Sequence, residues 1–296
     1  MSSLPRKALI FGASGQDGIY LASRCRQLGI TPVTVARSEG YDVQGSVSDG
    51  GLVESLVKQH RPSLIFHLAA CSTTRHDALF ENHITISTGT LNILESVKAV
   101  SPESKVLIIG SGVQFRNTGN PIAETDDFCA NNAYAVSRIQ SVYAARYFRS
   151  LGIRAYVAYL FHHESPYRSP QHVSRMITDK VKAIRNGDKD PLLIGDTSVE
   201  KEWGFAQDIV DGLMTLVSQD DVFEAAIGTG VAYSIMDFIN ECFKVVGMPI
   251  EDHIQYKQGF KAEYARLVSD PSTMKRLGWT AKTDFKKLVR ILLGDL

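Results

Sequence analysis

Short, continuously apolar runs alternate with longer amphipathic segments along most of the chain, and this alternation restricts the fold more than any other feature. "KALIFGA" (7–13), "PVTVAR" (32–37), "SLIFHLAA" (63–70), "KVLIIGSG" (105–112), "RAYVAYLF" (154–161) and "FEAAIGTG" (223–230) are strand-sized and bounded by turn residues. Between them, "GIYLASRCRQLG", "GGLVESLVKQH", "GTLNILESVKAV" and "YAVSRIQSVYAARYFRSLG" carry apolar residues at helical spacing. Strands that are apolar on both faces and separated by helices predict a parallel sheet covered on both sides, a doubly wound α/β fold. The alternation is regular over 1–160 and about 207–235. Residues 161–206 and about 236–296 are less regular and are expected to build a smaller mixed lobe, with Trp203 and Trp279 as packing residues inside it.

Directly after the first strand, "GASGQDG" places Gly12, Gly15 and Gly18 in a GxxGxxG spacing that opens a helix. Missing side chains let backbone N–H groups and the helix N-terminus approach a pyrophosphate, whose charge the helix dipole favours. The fold is therefore expected to be Rossmann-type, with Ser14 and the Gln16-Asp17 pair in the same loop. At the end of the second strand a carboxylate would suit a free ribose 2′-OH. Here Arg37 and Ser38 offer a cation and a hydroxyl, which suit a 2′-phosphate, so NADP(H) is the expected cofactor.

"YAVSR" (134–138) contains a Tyr and a cation one helical turn apart, behind a Ser at the end of the fourth strand, Ser111. In hydride-transfer chemistry a phenol exchanges a proton with the substrate oxygen, a cation lowers its pKa and a hydroxyl orients that oxygen. Tyr134, Arg138 and Ser111 are the candidates for these roles. His67 is expected to hydrogen-bond in the core or beside the cofactor.

Composition removes other classes. Lys plus Arg equals Asp plus Glu, 32 of each, so no global charge excess favours nucleic acid or a membrane surface. Cys25, Cys71, Cys129 and Cys242 lack metal-ligand spacing, and the histidines form no cluster, so no metal is expected. The start shows no apolar signal core, and no run reaches the length of a membrane span; the expected location is cytoplasmic.

Nearly end to end, the chain resembles the extended short-chain dehydrogenase/reductases that act on nucleotide sugars, most of all the GDP-mannose 4,6-dehydratases and the related GDP-4-keto-6-deoxy-mannose reductases. The residues that carry this are "ALIFGASGQDGIYLA", "LAACS" (68–72), "LFHHESPYR" (160–168), "EWGFAQDIV" (202–210) and "LVSDPSTMKRLGWTAKTDFKKLV" (267–289). The resemblance implies that Gly12 through Asp17 line the pyrophosphate, that Arg37 and Ser38 meet the 2′-phosphate, and that Leu68, Ala69, Ala70, Ser72, His163 and Arg168 also border the cofactor. It further implies a nucleotide-sugar site in the smaller lobe. There Glu263 reads guanine, Arg175 holds the diphosphate, and His162, Lys201 and Lys261 bind substrate. A homodimer or homotetramer is implied too, built on the helices "TLNILESVKAV" and "YAVSRIQSVYAARYF".

Departures from the family pattern bear on the chemistry. The dehydratases carry Thr-Ser-Glu after the fourth strand, the Glu serving as base; here the stretch reads Ser111-Gly112-Val113, followed by Phe115-Arg116 in place of Tyr-Gly. Val113 cannot accept a proton, so reduction of a 4-keto group on a GDP-activated deoxyhexose is favoured. A dehydratase with another base, or a nucleotide-sugar-binding protein without turnover, are the alternatives. His162 stands for the family's Asn, Lys201 and Glu202 for its Arg and Asp, and Arg138 for its Lys.

Overall fold

The computed structural model describes residues 6–251, 253–260 and 262–295. Its centre is a parallel sheet of seven strands. Six of them are β1 (Lys7–Phe11), β2 (Thr31–Ala36), β3 (Val43–Gln44), β4 (Leu64–His67), β5 (Lys105–Ser111) and β6 (Arg154–Leu160). The seventh, Glu224–Ile227, pairs with β6 at one edge, and the order inward from it is β6, β5, β4, β1, β2, β3. All six apolar runs named above became strands of this sheet, and the four amphipathic segments became helices. The order reverses between β1 and β4, so the crevice at the carboxyl ends of those two strands is the topological switch point, where such sheets bind ligands.

Both faces are dry, as the unbroken apolar runs require. On one face Leu9, Val35, Ile65, Val106 and Val157 pack under helices; on the other Ala8, Ile10, Phe66, Leu107 and Tyr156 do so. Ile10, Ile65 and Val157 are fully buried. Each such aliphatic side chain contributes about 1.5–3 kcal/mol relative to exposure. A third apolar cluster, distinct from the two that cover the sheet, joins Ile177, Ile184, Trp203, Phe238, Phe243 and Leu288.

Trp203 packs in that third cluster, stacked on Phe238 at 4.1 Å between ring centroids. Trp279 does not. It packs with the sheet-face cluster, its Nε1 donating to Asp208 O at 3.1 Å and its ring lying against Gly212 of the helix Ala206–Val217. The return of the chain over the central sheet after Pro271 takes Trp279 out of the smaller lobe where the sequence had placed it.

Two helices flank the site. The first, α1 (Gln16–Gln27), starts from Gly15 with no side-chain cap, so the N–H groups of its first turn have no competing side-chain acceptor there. The second, Ala133–Ser150, is capped by Asn132, whose Oδ1 accepts from Ala135 N at 2.8 Å. Its inner stripe of Ala135, Ser137, Ser141 and Ala145 is small enough to pack close on the sheet. Beside it run Leu79–Asn82, a π-helical turn His83–Thr88 and Gly89–Val100, joined end to end. Ser87 Oγ ties this turn to the neighbouring helix through Ser137 O at 3.2 Å and Gln140 Oε1 at 2.8 Å. No helix among the described residues is long and apolar enough to cross a membrane.

Candidate functional site

Two cavities open at the carboxyl end of the sheet. The first, about 220 Å³, is bordered by Gly12, Ser14, Gly15, Gln16, Asp17 and Gly18 of the glycine loop, by Arg37 after β2, by Leu68, Ala69, Ala70 and Ser72 after β4, and by Thr85 and Arg168. The loop is shaped for close backbone approach. Gly12 has φ +86°, and a Cβ there would lie 2.6 Å from Ala69 N. At Gly18 a Cβ would lie 2.5 Å from Gly12 O. Only hydrogen fits at either position, and the result is a cradle in front of the N-terminus of α1 that suits a dinucleotide's pyrophosphate.

Gln16 and Asp17 border this cavity, yet their side chains reach across to 163–165. Gln16 Nε2 donates to His163 O at 3.1 Å and its Oε1 accepts from Ser165 Oγ at 2.9 Å. Asp17 Oδ1 is 2.9 Å from His163 Nε2, while His163 Nδ1 is 2.7 Å from Phe161 O. Burial pushes the His163 pKa down, but the Asp17 carboxylate more than offsets it and the net shift is upward. These residues join loop to lobe. Arg37 borders the cavity and pairs loosely with Glu81 at 3.3 Å, both well exposed. Ser38 is exposed and outside the lining, so of the two candidates for a 2′-phosphate only Arg37 faces the cleft.

The second cavity, about 650 Å³, gathers Ser111, Val113, Tyr134, Arg138, His162, His163, Arg168, Lys201 and Glu263. Ser111, Tyr134 and Arg138 thus face one space, as the opening motif implied. Arg138 is 2% exposed, with its Cζ 4.8 Å from the Tyr134 ring centroid. Its Nη1 donates to Ile109 O at 2.6 Å, so part of the guanidinium is spent on β5. His67 is buried behind it, Nε2 3.3 Å from Ile86 O, with its pKa lowered to about 4 by burial and by Arg138. A neutral core histidine is the outcome.

In the wall toward the smaller lobe, Glu164 is 1% exposed and accepts from Ser174 Oγ at 2.6 Å. It also lies 3.3 Å from Arg168 Nε and 3.9 Å from Lys201 Nζ. Lys201, 5% exposed, sits 4.4 Å over the Trp203 ring. Burial lowers its pKa to about 8, with Glu164 opposing and Arg168 adding to the fall. His162 faces Tyr264 Oη at 3.1 Å through Nε2; burial, then Lys201 and Arg168, hold its pKa well below the usual range. Glu263 accepts from Thr74 Oγ1 at the cavity mouth.

One expectation is not met by this geometry, and one lies outside it. Arg175 is turned away from the large cavity: its Nε forks onto Asp179 at 2.9 and 2.8 Å and its Nη1 donates to Pro166 O at 2.8 Å. The i,i+4 carboxylate supplied by its own helix captures it. Glu202, which stands where the family pattern has Asp, is wholly buried as a staple, accepting from Ser269 N and Oγ at 2.6 Å and Thr229 N at 2.5 Å. Lys261 lies outside the described residues. Residues that the sequence reading passed over include Thr85, Gln171 and His172. Thr85 sits in a π-helical turn that has no sequence signature, while His172 follows the "HHES" stretch closely enough to have been a candidate. Among the described residues no group of three or more His, Cys, Asp or Glu is placed to hold a metal ion.

A model of the family described as GDP-mannose 4,6 dehydratase matches residues 9–292. The chain belongs to this family. GDP-mannose 4,6 dehydratase 1 of Arabidopsis thaliana is 28% identical over 324 residues, covering 98% of this chain and 90% of the relative. The GDP-mannose 4,6 dehydratase of Dictyostelium discoideum is 24% identical, covering 99% and 96%. Among solved structures, the NADPH complex of RMD from Pseudomonas aeruginosa superposes with a TM-score of 0.82 at 20% identity, covering 100% of this chain and 98% of that one. The NAD complex of dTDP-glucose 4,6-dehydratase from Bacillus anthracis gives 0.85 at 17%, covering 98% and 96%. These likenesses agree with the observed Rossmann-type architecture.

Proposed function

We propose that the protein is an NADP(H)-dependent reductase of the 4-keto group of a GDP-activated deoxyhexose. The observation that carries this is the wall of the large cavity. It combines Ser111, Tyr134 and Arg138 with Val113 at the position where the dehydratase pattern has its base. The carboxylates that border the cavity are otherwise engaged: Asp17 with His163, Glu164 with Ser174 and the nearby cations, Glu263 with Thr74. A glycine cradle at the helix N-terminus, and Arg37 bordering the cavity with only a loose, exposed pairing to Glu81, support the dinucleotide and its 2′-phosphate.

In this reading Gly12, Gly15 and the first turn of α1 hold the pyrophosphate, and Arg168 borders both cavities. The bound nicotinamide supplies the hydride. Tyr134 Oη delivers the proton to the sugar oxygen, Ser111 Oγ donates a hydrogen bond to the same oxygen, and Arg138 stabilises the phenolate left behind. Domain roles follow: residues 1–160 and about 207–235 serve the dinucleotide, and 161–206 and about 236–296 the nucleotide sugar.

The test is to incubate the protein with GDP-4-keto-6-deoxy-mannose plus NADPH, and separately with GDP-mannose plus NADP. A gain of two mass units with loss of NADPH absorbance is the expected result. Loss of water from GDP-mannose would instead establish 4,6-dehydration, the reading favoured by the family match and the Arabidopsis and Dictyostelium relatives. Binding of both ligands without turnover would leave a sensor or assembly role.

Lys201 supplies a pH prediction. Its ammonium is present below about 8 and its neutral amine above, so affinity for GDP is expected to fall as pH rises through that value, and Lys201→Arg to flatten the profile. Since its folded pKa lies below the unfolded one, the unfolded chain holds more protons between those values, and folding stability gains from this group over the same rise. Calorimetric titration with GDP from pH 7 to 9 checks it; a flat wild-type profile removes Lys201 as the anion-facing group.

Phe80, Ile84, Leu91, Tyr143 and Tyr147 lie exposed on the two adjoining helices Leu79–Val100 and Ala133–Ser150, with Phe80 77% and Tyr147 60% accessible. We read this face as the homodimer contact. Sedimentation equilibrium should give about twice the chain mass of 32.6 kDa; a monomer at tens of micromolar would refute it.

A further inference from the structure

Gln114 is 0% exposed, yet it carries a polar amide into the core immediately below the reacting end of β5. Its Oε1 accepts from Ser111 N at 2.8 Å, and Ser111 Oγ in turn accepts from Val113 N at 3.4 Å, so the pair closes a reciprocal box around the turn Gly112–Gln114. Its backbone carbonyl is also used, accepting from Cys129 N at 2.7 Å. The turn has no slack on either side. A Cβ at Gly110 would lie 2.5 Å from the Tyr159 ring and 3.1 Å from Gln114 Oε1, and one at Gly112 would lie 2.7 Å from the Phe161 ring.

This arrangement is costly to keep. Among the described residues Gln114 Nε2 is buried without a hydrogen-bond partner, so the amide loses part of its solvation for the sake of the bond made by its oxygen. An apolar side chain of the same volume would fill the site without that loss. The one thing it could not do is occupy the Ser111 N–H. The Ser111 hydroxyl, by contrast, makes only a long contact to Val113 N as acceptor, which leaves its proton available to the cavity.

We propose that Gln114 is a positioning residue: by holding the Ser111 amide it fixes the backbone from which the Ser111 hydroxyl meets the substrate oxygen. The proposal rests on the assignment of Ser111 as a hydroxyl that acts on that oxygen. It gives Gln114 no contact with substrate.

The test is a double-mutant cycle of Gln114→Met and Ser111→Ala, assayed with GDP-4-keto-6-deoxy-mannose plus NADPH and with GDP-mannose plus NADP, using whichever pair turns over. Gln114→Met conserves volume and is expected to fold. It should lower kcat about tenfold with KM within about twofold, and should have no further effect on kcat once Ser111 is Ala. Gln114→Glu, entering the core as the neutral acid, keeps a carbonyl oxygen for Ser111 N and should recover part of the lost kcat. Equal losses in the two backgrounds would show a general packing role and overturn the proposal, as would an unchanged kcat in Gln114→Met. If Ser111→Ala itself leaves kcat intact, the assignment of Ser111 fails and the proposal with it. A protein that turns over neither pair also overturns it, because no reacting oxygen would then need Ser111.

Discussion

Tyr134→Phe is expected to lower kcat by a factor of about 10²–10⁴ while KM for the nucleotide sugar stays within about threefold. The substitution removes one oxygen from a half-buried ring that faces the large cavity, and it leaves the ring contact with Arg138 in place. Folding should therefore be nearly unchanged, and the loss should sit in the chemical step. Arg138 is held by Ile109 O at 2.6 Å and cannot move its charge to replace a missing proton donor. Stopped-flow reduction of the keto sugar at saturating NADPH measures the step directly. A Tyr134→Phe variant with near wild-type kcat would require another proton donor in the cavity wall and would dismantle the mechanism given above.

Gly12→Ala should do damage of a different kind. At φ +86° an alanine carries left-handed strain, and its Cβ would press against Ala69 N at 2.6 Å, a backbone atom that cannot rotate away. Strain and overpacking together come to about 2–5 kcal/mol. For a chain of this length that corresponds to a fall of roughly 3–8 °C in Tm. Because the displaced backbone is also the floor of the smaller cavity, NADPH affinity should drop at least about tenfold. Differential scanning calorimetry with and without NADPH reads both effects. An unchanged melting temperature would mean that the β1 and β4 ends separate more freely than their packing indicates.

Much of this architecture was legible in residue order. Six predominantly apolar runs are best satisfied by strands covered on both faces, and the glycine triplet after "KALIF" marked the switch point. That Ser111, Tyr134 and Arg138 would face one space could be read from spacing, because strand ends and helix first turns converge in this fold whatever lies between them. What escaped was decided by partners that residue order alone does not single out. Arg175 could equally have faced a phosphate or its own helix, and Asp179 four residues on decided it. Gln16 and Asp17 read as phosphate-loop residues, but their side chains answer to Ser165 and His163, nearly 150 positions away in sequence. Trp279 looked like small-lobe packing until the path of the chain across the sheet was known. The role of Gln114 was invisible because nothing in "SGVQF" shows that an amide will fold back on its own turn.

Asp17, Leu68, Ser72 and Arg168 border both cavities. Such shared walls limit how a binding site can diversify. A change at any of these four positions alters the shape of both cavities at once, whereas a residue that faces one cavity can change without reshaping the other. Arg37 is of that kind in the smaller cavity, and His162 and Lys201 in the larger. His162 and Lys201 are also where the chain departs from the dehydratase pattern it otherwise resembles.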